Sequence, residues 1–277
     1  MFTVGRALHP VEAIRSHVAH LSSTDRRRRV PVPRTDDEIG RLARTMNAML
    51  DRLQAASDKQ NRFVADASHE LQSPLAAARA DLEVALAHPD VTNWPDTARD
   101  VLEENRHMEH LVADLLFIAR TDDTTTPAPY TPVDLHEIVH DEAARLTGSN
   151  HTNVDTTAVT TAFVRGRRDD LTRAVRNLLD NAQHHATSTV TIELSNGDGT
   201  VTLVIEDDGP GIRPEHRDRI FERFVRLDDA RTRNRTGTGL GLAIVKDIVE
   251  HHHGSVTVHD STGPRHGARF VVTLPSD

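Results

Sequence analysis

His69 and Glu70 stand side by side in the stretch 64–75, VADASHELQSPL, with Ser73 and Pro74 one turn further on. A neutral imidazole acts as a nucleophile when one ring nitrogen is bare and an acceptor holds the proton on the other. Glu70 is such an acceptor. The apolar residues Phe63, Ala67, Leu71, Leu75, Ala78, Leu82 and Leu86 recur at helical spacing. Two positions along a helix is about 200° of rotation, so His69 points away from Ala67 and Leu71 and toward solvent. Ser73 shares its face. Pro74 cannot donate to the Glu70 carbonyl and its ring crowds that turn, so a bend is expected there. A lone exposed histidine beside a tolerated proline is usually bland; the neighbouring acid and Ser73 make this one a candidate.

Three later stretches could serve an anionic ligand. In 171–186, LTRAVRNLLDNAQHHA, the stripe Leu171, Ala174, Val175, Leu178, Leu179 and Ala182 is apolar. Arg173, Asn177, Asn181 and His184 fall on the opposite side. Asparagine is a poor helix former, so two of them at i and i+4 suggest ligands rather than an indifferent surface. Their amide oxygens suit Mg²⁺. In Glu206-Asp207-Asp208-Gly209-Pro210-Gly211-Ile212, an acid at a strand end meets a glycine-rich turn. That arrangement lets a carboxylate hydrogen-bond a base at close approach. Gly237-Thr238-Gly239-Leu240-Gly241 leads into a helical pattern, where backbone N–H groups and the helix dipole favour phosphate. It is not a Walker loop, because the GK[ST] ending is missing.

The elements that carry these residues fall into two halves. Residues 1–56 read as two helices, one with Val4, Leu8, Val11, Ile14, Val18 and Leu21, the other with Ile39, Leu42, Met46, Met49 and Leu53. The alternating spacing of three and four is a coiled-coil seam. The connector 22–34 holds the run Arg26-Arg27-Arg28-Arg29 and then Val30-Pro31-Val32-Pro33, which favours extended backbone. Helices over 57–88 and about 95–121 read as an antiparallel hairpin. The second carries Val101, Asn105, Met108, Val112, Leu115 and Ile118. Two helices alone have a thin core, so a dimeric four-helix bundle is the expected remedy. Residues 122–132 are rich in Thr, Pro and Asp and read as a linker. Beyond them, helical periods alternate with strands at 190–194, 201–205, 255–258 and 269–274, and Asn196-Gly197-Asp198-Gly199 signals a hairpin. This half is expected to be an α+β sandwich with a mixed sheet.

Composition narrows the classes. The net charge is −9 over 277 residues, which argues against nucleic-acid binding. There are no cysteines, so disulfides and thiolate zinc sites are excluded. Neither a run of about 18 apolar residues nor a secretory signal is visible. Three consecutive histidines, His251 to His253, point in different directions on a helix, so a shared metal site is not expected.

Taken in order, these segments resemble the transmitter of a two-component sensor histidine kinase. SHELQSPL is similar to its phosphoacceptor box, NLLDNA to the N box, DDGPGI to the G1 box and GTGLGLAIVK to the G2 box. Ile220-Phe221-Glu222-Arg223-Phe224 resembles the F box. Pro10 with Asp37-Glu38-Ile39-Gly40-Arg41-Leu42 resembles a HAMP relay domain. The resemblance implies a HAMP domain over 1–56, a dimerisation and phosphotransfer hairpin over 57–121, a linker over 122–132 and an ATP-binding domain over 133–277, of the histidine-kinase and Hsp90-like fold. It implies that His69 takes the γ-phosphate of ATP and passes it to an aspartate of a response regulator, with Glu70 orienting the imidazole. Asn181 and Asn177 would hold Mg²⁺, and Asp207 would read the adenine amino group. Gly209, Gly211 and Phe221 would shape that pocket, Gly237, Gly239 and Gly241 would border the phosphates, and residues 213–236 would form a mobile lid. Ser73 stands where the family usually has Thr or Asn, a position linked to dephosphorylating the partner, and Gln72 replaces the usual Arg. His184 stands where a Lys or Arg often contacts phosphate, which implies activity that rises as His184 protonates. The family's HAMP domain normally follows a transmembrane helix, so the chain is expected to be the cytoplasmic part of a homodimeric, membrane-anchored parent. Two other readings stay open: an ATPase of the same nucleotide fold, and a silent relay scaffold.

Overall fold

The computed structural model describes residues 29–32, 38–121, 129–147, 152–227, 238–262 and 267–277. The expected helix over residues 4–21, residues 26–28 of the arginine run and linker residues 122–128 lie outside the described residues. The chain divides into two compact units, Met1–Gln72 and Ser73–Asp277.

A single helix, α1, spans Glu38–Ala87. The expected break between residues 56 and 57 is absent. Gln54 to Gln60 contains neither Gly nor Pro, so nothing there stops a helix. In the first unit, Val30 and Ala43 are buried together, with Ile39, Met46 and Leu50 packed around them. Asn47 holds the extended connector by both ends of its amide. Its Oδ1 accepts the Val30 N–H at 2.8 Å and its Nδ2 donates to the Val30 carbonyl at 2.9 Å.

α1 also runs through Pro74, so the proline lies inside the helix without ending it. The second helix of the hairpin, α2, spans Trp94–Thr121. Pro74, Ala78 and Ala85 are buried on α1, and Leu111 and Ile118 on α2. Leu75, Leu82 and Leu86, expected on the buried stripe, are exposed. Within one hairpin a helix has a single covered face, so the small residues fill it and the larger leucines are left on the adjoining face.

The α+β half begins at strand β1, Thr131–Asp134, which takes the last residues of the expected linker. β1 pairs antiparallel with β3, Phe163–Gly166. Asp134 then caps α3, Leu135–Thr147, by accepting the N–H of His136 at 3.0 Å. The main sheet holds β2 (Asn153–Val159), β4 (Thr189–Gly197), β5 (Thr200–Asp207), β6 (Ser255–Asp260) and β7 (Ala268–Pro275) in the order β2-β4-β5-β7-β6. β2 and β4 are parallel and the other pairs antiparallel, so the sheet is mixed. Asp198 and Gly199, both with positive φ, close the β4–β5 hairpin. Ile192, Ile205 and Phe270 stand opposite one another across three strands, as do Leu194, Leu203 and Val272. All six are buried. They face α3, α4 (Arg168–His185) and α5 (Gly241–His251), while the alternate residues of the sheet, such as Thr191, Glu193 and Thr202, stay partly exposed.

Candidate active site

The apolar stripe of α4 buries Leu171, Ala174, Val175, Leu178, Leu179 and Ala182, as its spacing predicts. A charged network fixes how the helix is turned. Glu142 on α3 is buried, and Arg176 grips both its oxygens, Nη2 at 2.6 Å and Nε at 3.0 Å. Arg145 reaches the same carboxylate at 3.0 Å and also pairs with Asp180. Burial acts to raise the Glu142 carboxyl, but hydrogen bonds and charge from Arg176 and Arg145 hold it below the ordinary glutamate value. Arg176 and Asp180 directly precede Asn177 and Asn181. Pinning the first pair therefore sets the direction of the second.

Asn177 donates from Nδ2 to the Gly241 carbonyl at 3.1 Å, which ties α4 to the start of α5 and leaves Oδ1 as its accepting end. Asn181 is half-buried and its side chain carries no hydrogen bond among the described residues. His184 is exposed near the end of α4, its ring edge-on to His185 with centroids 4.9 Å apart.

Two adjacent carboxylates end β5, and they have opposite tasks. Asp208 accepts the N–H of Thr187, Ser188 and Thr189 on Oδ1 and the Ser188 hydroxyl on Oδ2. Burial works against its charge, but these donors overcome it and hold the carboxyl far below the usual range. Asp208 is a structural clasp on the loop between α4 and β4. Asp207 is 3% exposed. Its Oδ1 accepts from Gly209 N–H at 2.9 Å and Ala268 N–H at 3.3 Å, while its Oδ2 is buried with no partner among the described residues. Burial raises its carboxyl above the ordinary aspartate value, against the pull of those two amides. A buried acceptor left open in this way suits a donor arriving on a ligand.

The glycines around Asp207 are sterically required. A Cβ at Gly209 would sit 2.2 Å from the His185 carbonyl oxygen. A Cβ at Gly267 would sit 1.9 Å from that of Asp207. Gly267 has no place in the motifs read from sequence, because a single glycine before a strand gives little to read. Gly211 packs on the backbone of Gly267.

On the far side, the Gly239 carbonyl accepts the N–H of Phe224 at 2.8 Å, and Arg223 pairs with Asp247 of α5 at 2.9 Å. The F box is therefore a brace for the glycine segment. Phe221, expected to shape the pocket, is buried with its ring edge-on to Phe270. Within residues 213–227, the first part of the expected lid, Ile220 and Phe221 are buried. The rest of it, 228–237 including Gly237, lies outside the described residues. Two of the three histidines at the end of α5, His251 and His252, make separate side-chain contacts. His252 is buried, stacked on Tyr130 with centroids 4.8 Å apart, and accepts the Arg167 N–H on Nε2 at 3.2 Å. Its proton is therefore on Nδ1, facing the Ile248 carbonyl at 2.8 Å. His251 Nδ1 lies 2.6 Å from the Asp247 carbonyl.

His69 and Ser73 are both exposed on α1, and Glu70 is half-buried. No hydrogen bond joins Glu70 to His69 among the described residues.

Three family descriptions match the chain in order. Residues 2–55 match the HAMP domain and residues 59–124 the His Kinase A (phospho-acceptor) domain. Residues 166–277 match the histidine kinase-, DNA gyrase B- and HSP90-like ATPase. The chain belongs to the two-component sensor histidine kinases. Sensor protein IrlS of Burkholderia pseudomallei is 33% identical, over 91% of this chain and 55% of that protein. The signal transduction histidine-protein kinase/phosphatase MprB of Mycolicibacterium paratuberculosis is 35% identical, over 97% of this chain and 53% of that protein. The chain spans about half the length of the curated relatives it matches. Among solved structures, full-length ShkA in complex with AMPPNP gives a TM-score of 0.55 at 26% identity, covering 66% of this kinase chain and 38% of that one. The histidine kinase AdeS of Acinetobacter baumannii shares the fold with a TM-score of 0.59 at 22% identity, covering 76% and 98%. The ATPase match implies ATP binding by this kinase chain. Among its described residues, no helix is long and apolar enough to cross a membrane.

Proposed function

We propose that this chain is the transmitter of a sensor histidine kinase, which transfers the γ-phosphoryl group of ATP to His69 and then to an aspartate of a response regulator. The observation that carries the reading is Asp207. Its buried, unpartnered Oδ2, beside glycines that admit no side chain, suits the exocyclic amino group of adenine. Asn177 Oδ1 and Asn181 are oxygen ligands fit for Mg²⁺, which when bound supplies neutralisation of phosphate charge. Gly237, Gly239 and Gly241 border the phosphates in this reading, and His184 reaches them from the end of α4. The bare nitrogen of His69 is the acceptor. Glu70 turns to hold the proton on the other nitrogen, and its half-buried carboxylate is placed one residue away for that task. Ser73, one turn beyond, is positioned for the return reaction, in which the response regulator loses its phosphoryl group. MprB, named a kinase/phosphatase, makes that second activity reasonable here.

The functional unit is a homodimer built on the hairpin, and the parent protein is anchored in the membrane ahead of the HAMP segment. The chain itself works on the cytoplasmic side.

The test is incubation with γ-labelled ATP and Mg²⁺, comparing the wild type with His69→Gln. Acid-labile label that requires His69 is the expected result. ATP hydrolysis with no phosphoprotein would instead favour an ATPase of the same fold, and neither product would favour a relay scaffold.

A further inference from the structure

Asp114 on α2 makes two contacts with the ATP-binding half. Its Oδ1 accepts from Arg173 Nη2 at 2.6 Å, and its Oδ2 accepts from the Thr238 hydroxyl at 3.4 Å. The Asp114 and Arg173 side chains are only 14% and 25% exposed. Arg173 also lies over the Phe117 ring, 4.6 Å from its centroid. Arg173 is one helical turn before Asn177 on α4, and Thr238 is three residues before Gly241. Asn177 and Gly241 are themselves joined by a hydrogen bond. Asp114 thus closes the same seam, between α4 and the glycine segment, that is assigned above to the phosphates. Thr238 carries the contact onward, because its hydroxyl also accepts the N–H of Leu240, the residue before α5.

A carboxylate on that seam is an anion beside the place of an anionic ligand. Arg173 is a cation that either one can use. We infer that Asp114 is an internal anion that competes with nucleotide: in the empty site it holds Arg173 and Thr238 against the hairpin, and the phosphates of ATP draw them away and release the ATP-binding half. This rests on the reading of the cleft as an ATP site. Linkage makes the effect reciprocal, so each contact that docks α2 weakens nucleotide binding by the same factor.

The test uses the full chain and calorimetric titration with a non-hydrolysable ATP analogue and Mg²⁺. Asp114→Asn keeps the shape and removes the charge. It is expected to bind the analogue about fivefold more tightly, at the low end of measured couplings between linked sites. Asp114→Glu keeps the charge and should stay within about twofold of the wild type. Phe117→Leu, which removes the ring face alone, should tighten binding by about twofold. Thermal melts of each variant report whether it is folded. Binding by Asp114→Asn that is equal to or weaker than the wild type overturns the competition and leaves the nucleotide site standing. No binding by the wild type and the variants alike overturns the nucleotide site, and the competition with it.

Discussion

The ATP-binding half and the helical hairpin use the same kinds of residue with opposite results. In the first, Ile192, Leu194, Ile205, Phe270 and the apolar stripe of α4 are almost wholly removed from water. In the second, Leu75, Leu86, Leu102 and Leu116 are each more than half exposed, and little beyond Ala78, Ala85, Leu111 and Ile118 is buried. A sheet with three helices on one face closes a core within one chain. A two-helix hairpin covers one face of each helix and leaves the next one bare. One half of the molecule closes its core within the chain, and the other leaves apolar surface that the proposed dimer would cover.

The largest test breaks the incomplete half alone. Leu82→Lys with Leu116→Lys should weaken dimerisation on the order of 1,000-fold, through like charges brought together in an apolar seam. Light scattering should find a monomer, and analogue binding should stay unchanged. If the double variant stays dimeric, the exposed leucines are not the seam.

The reverse experiment disables the complete half. Asp207→Asn should weaken nucleotide binding by about 10–100-fold, the worth of a hydrogen bond to a charged group, and leave the dimer intact. The pH dependence has a definite sign. Because burial raises the Asp207 carboxyl, it is protonated on acidification sooner than an ordinary aspartate, and affinity for the adenine donor should fall with it. An affinity flat down to the ordinary aspartate value of 3.8 would contradict this.

Glu142→Gln should destabilise the ATP-binding half by about 1–2 kcal/mol, a figure reduced because Arg176 and Arg145 both reach solvent. The folded carboxyl is depressed, so its stabilisation is complete above the ordinary value of 4.5 and is lost as pH falls through the lower folded value. Denaturation curves of wild type and variant should therefore converge in acid. If they stay apart at every pH, the arginine pairing is not the source.

The smallest effect belongs to the first unit. Asn47→Ala removes two hydrogen bonds to Val30 and should cost about 1 kcal/mol, seen as faster amide exchange at Val30 with the other half unaffected.

Much of the candidate site was legible because its parts are local. The Asn177 and Asn181 pair, the acid and glycines after β5, and the glycines before α5 are each consecutive or one turn apart. The apolar stripe of α4 emerged residue for residue. What could not be read joins distant segments. Glu142 meets Arg176 across 34 residues, and Gly267 meets Asp207 across 60. Strands β1, β2 and β3 are short or polar, so no alternation marks them. That Phe221 packs edge-on against Phe270 likewise joins segments far apart in the chain.

By itself, the order of residues determined the helical hairpin, the α+β half and the candidate groups for phosphate, adenine and a divalent ion. These follow from periodicity and from the backbone freedom of glycine, which act over a few residues. The tertiary structure decided which of two neighbouring aspartates is a clasp and which keeps an open oxygen. It also decided which leucines are left bare and that Asp114 meets Arg173 and Thr238. Each of those depends on what the fold brings from elsewhere in the chain, and burial and charge have no value until that neighbour is in place.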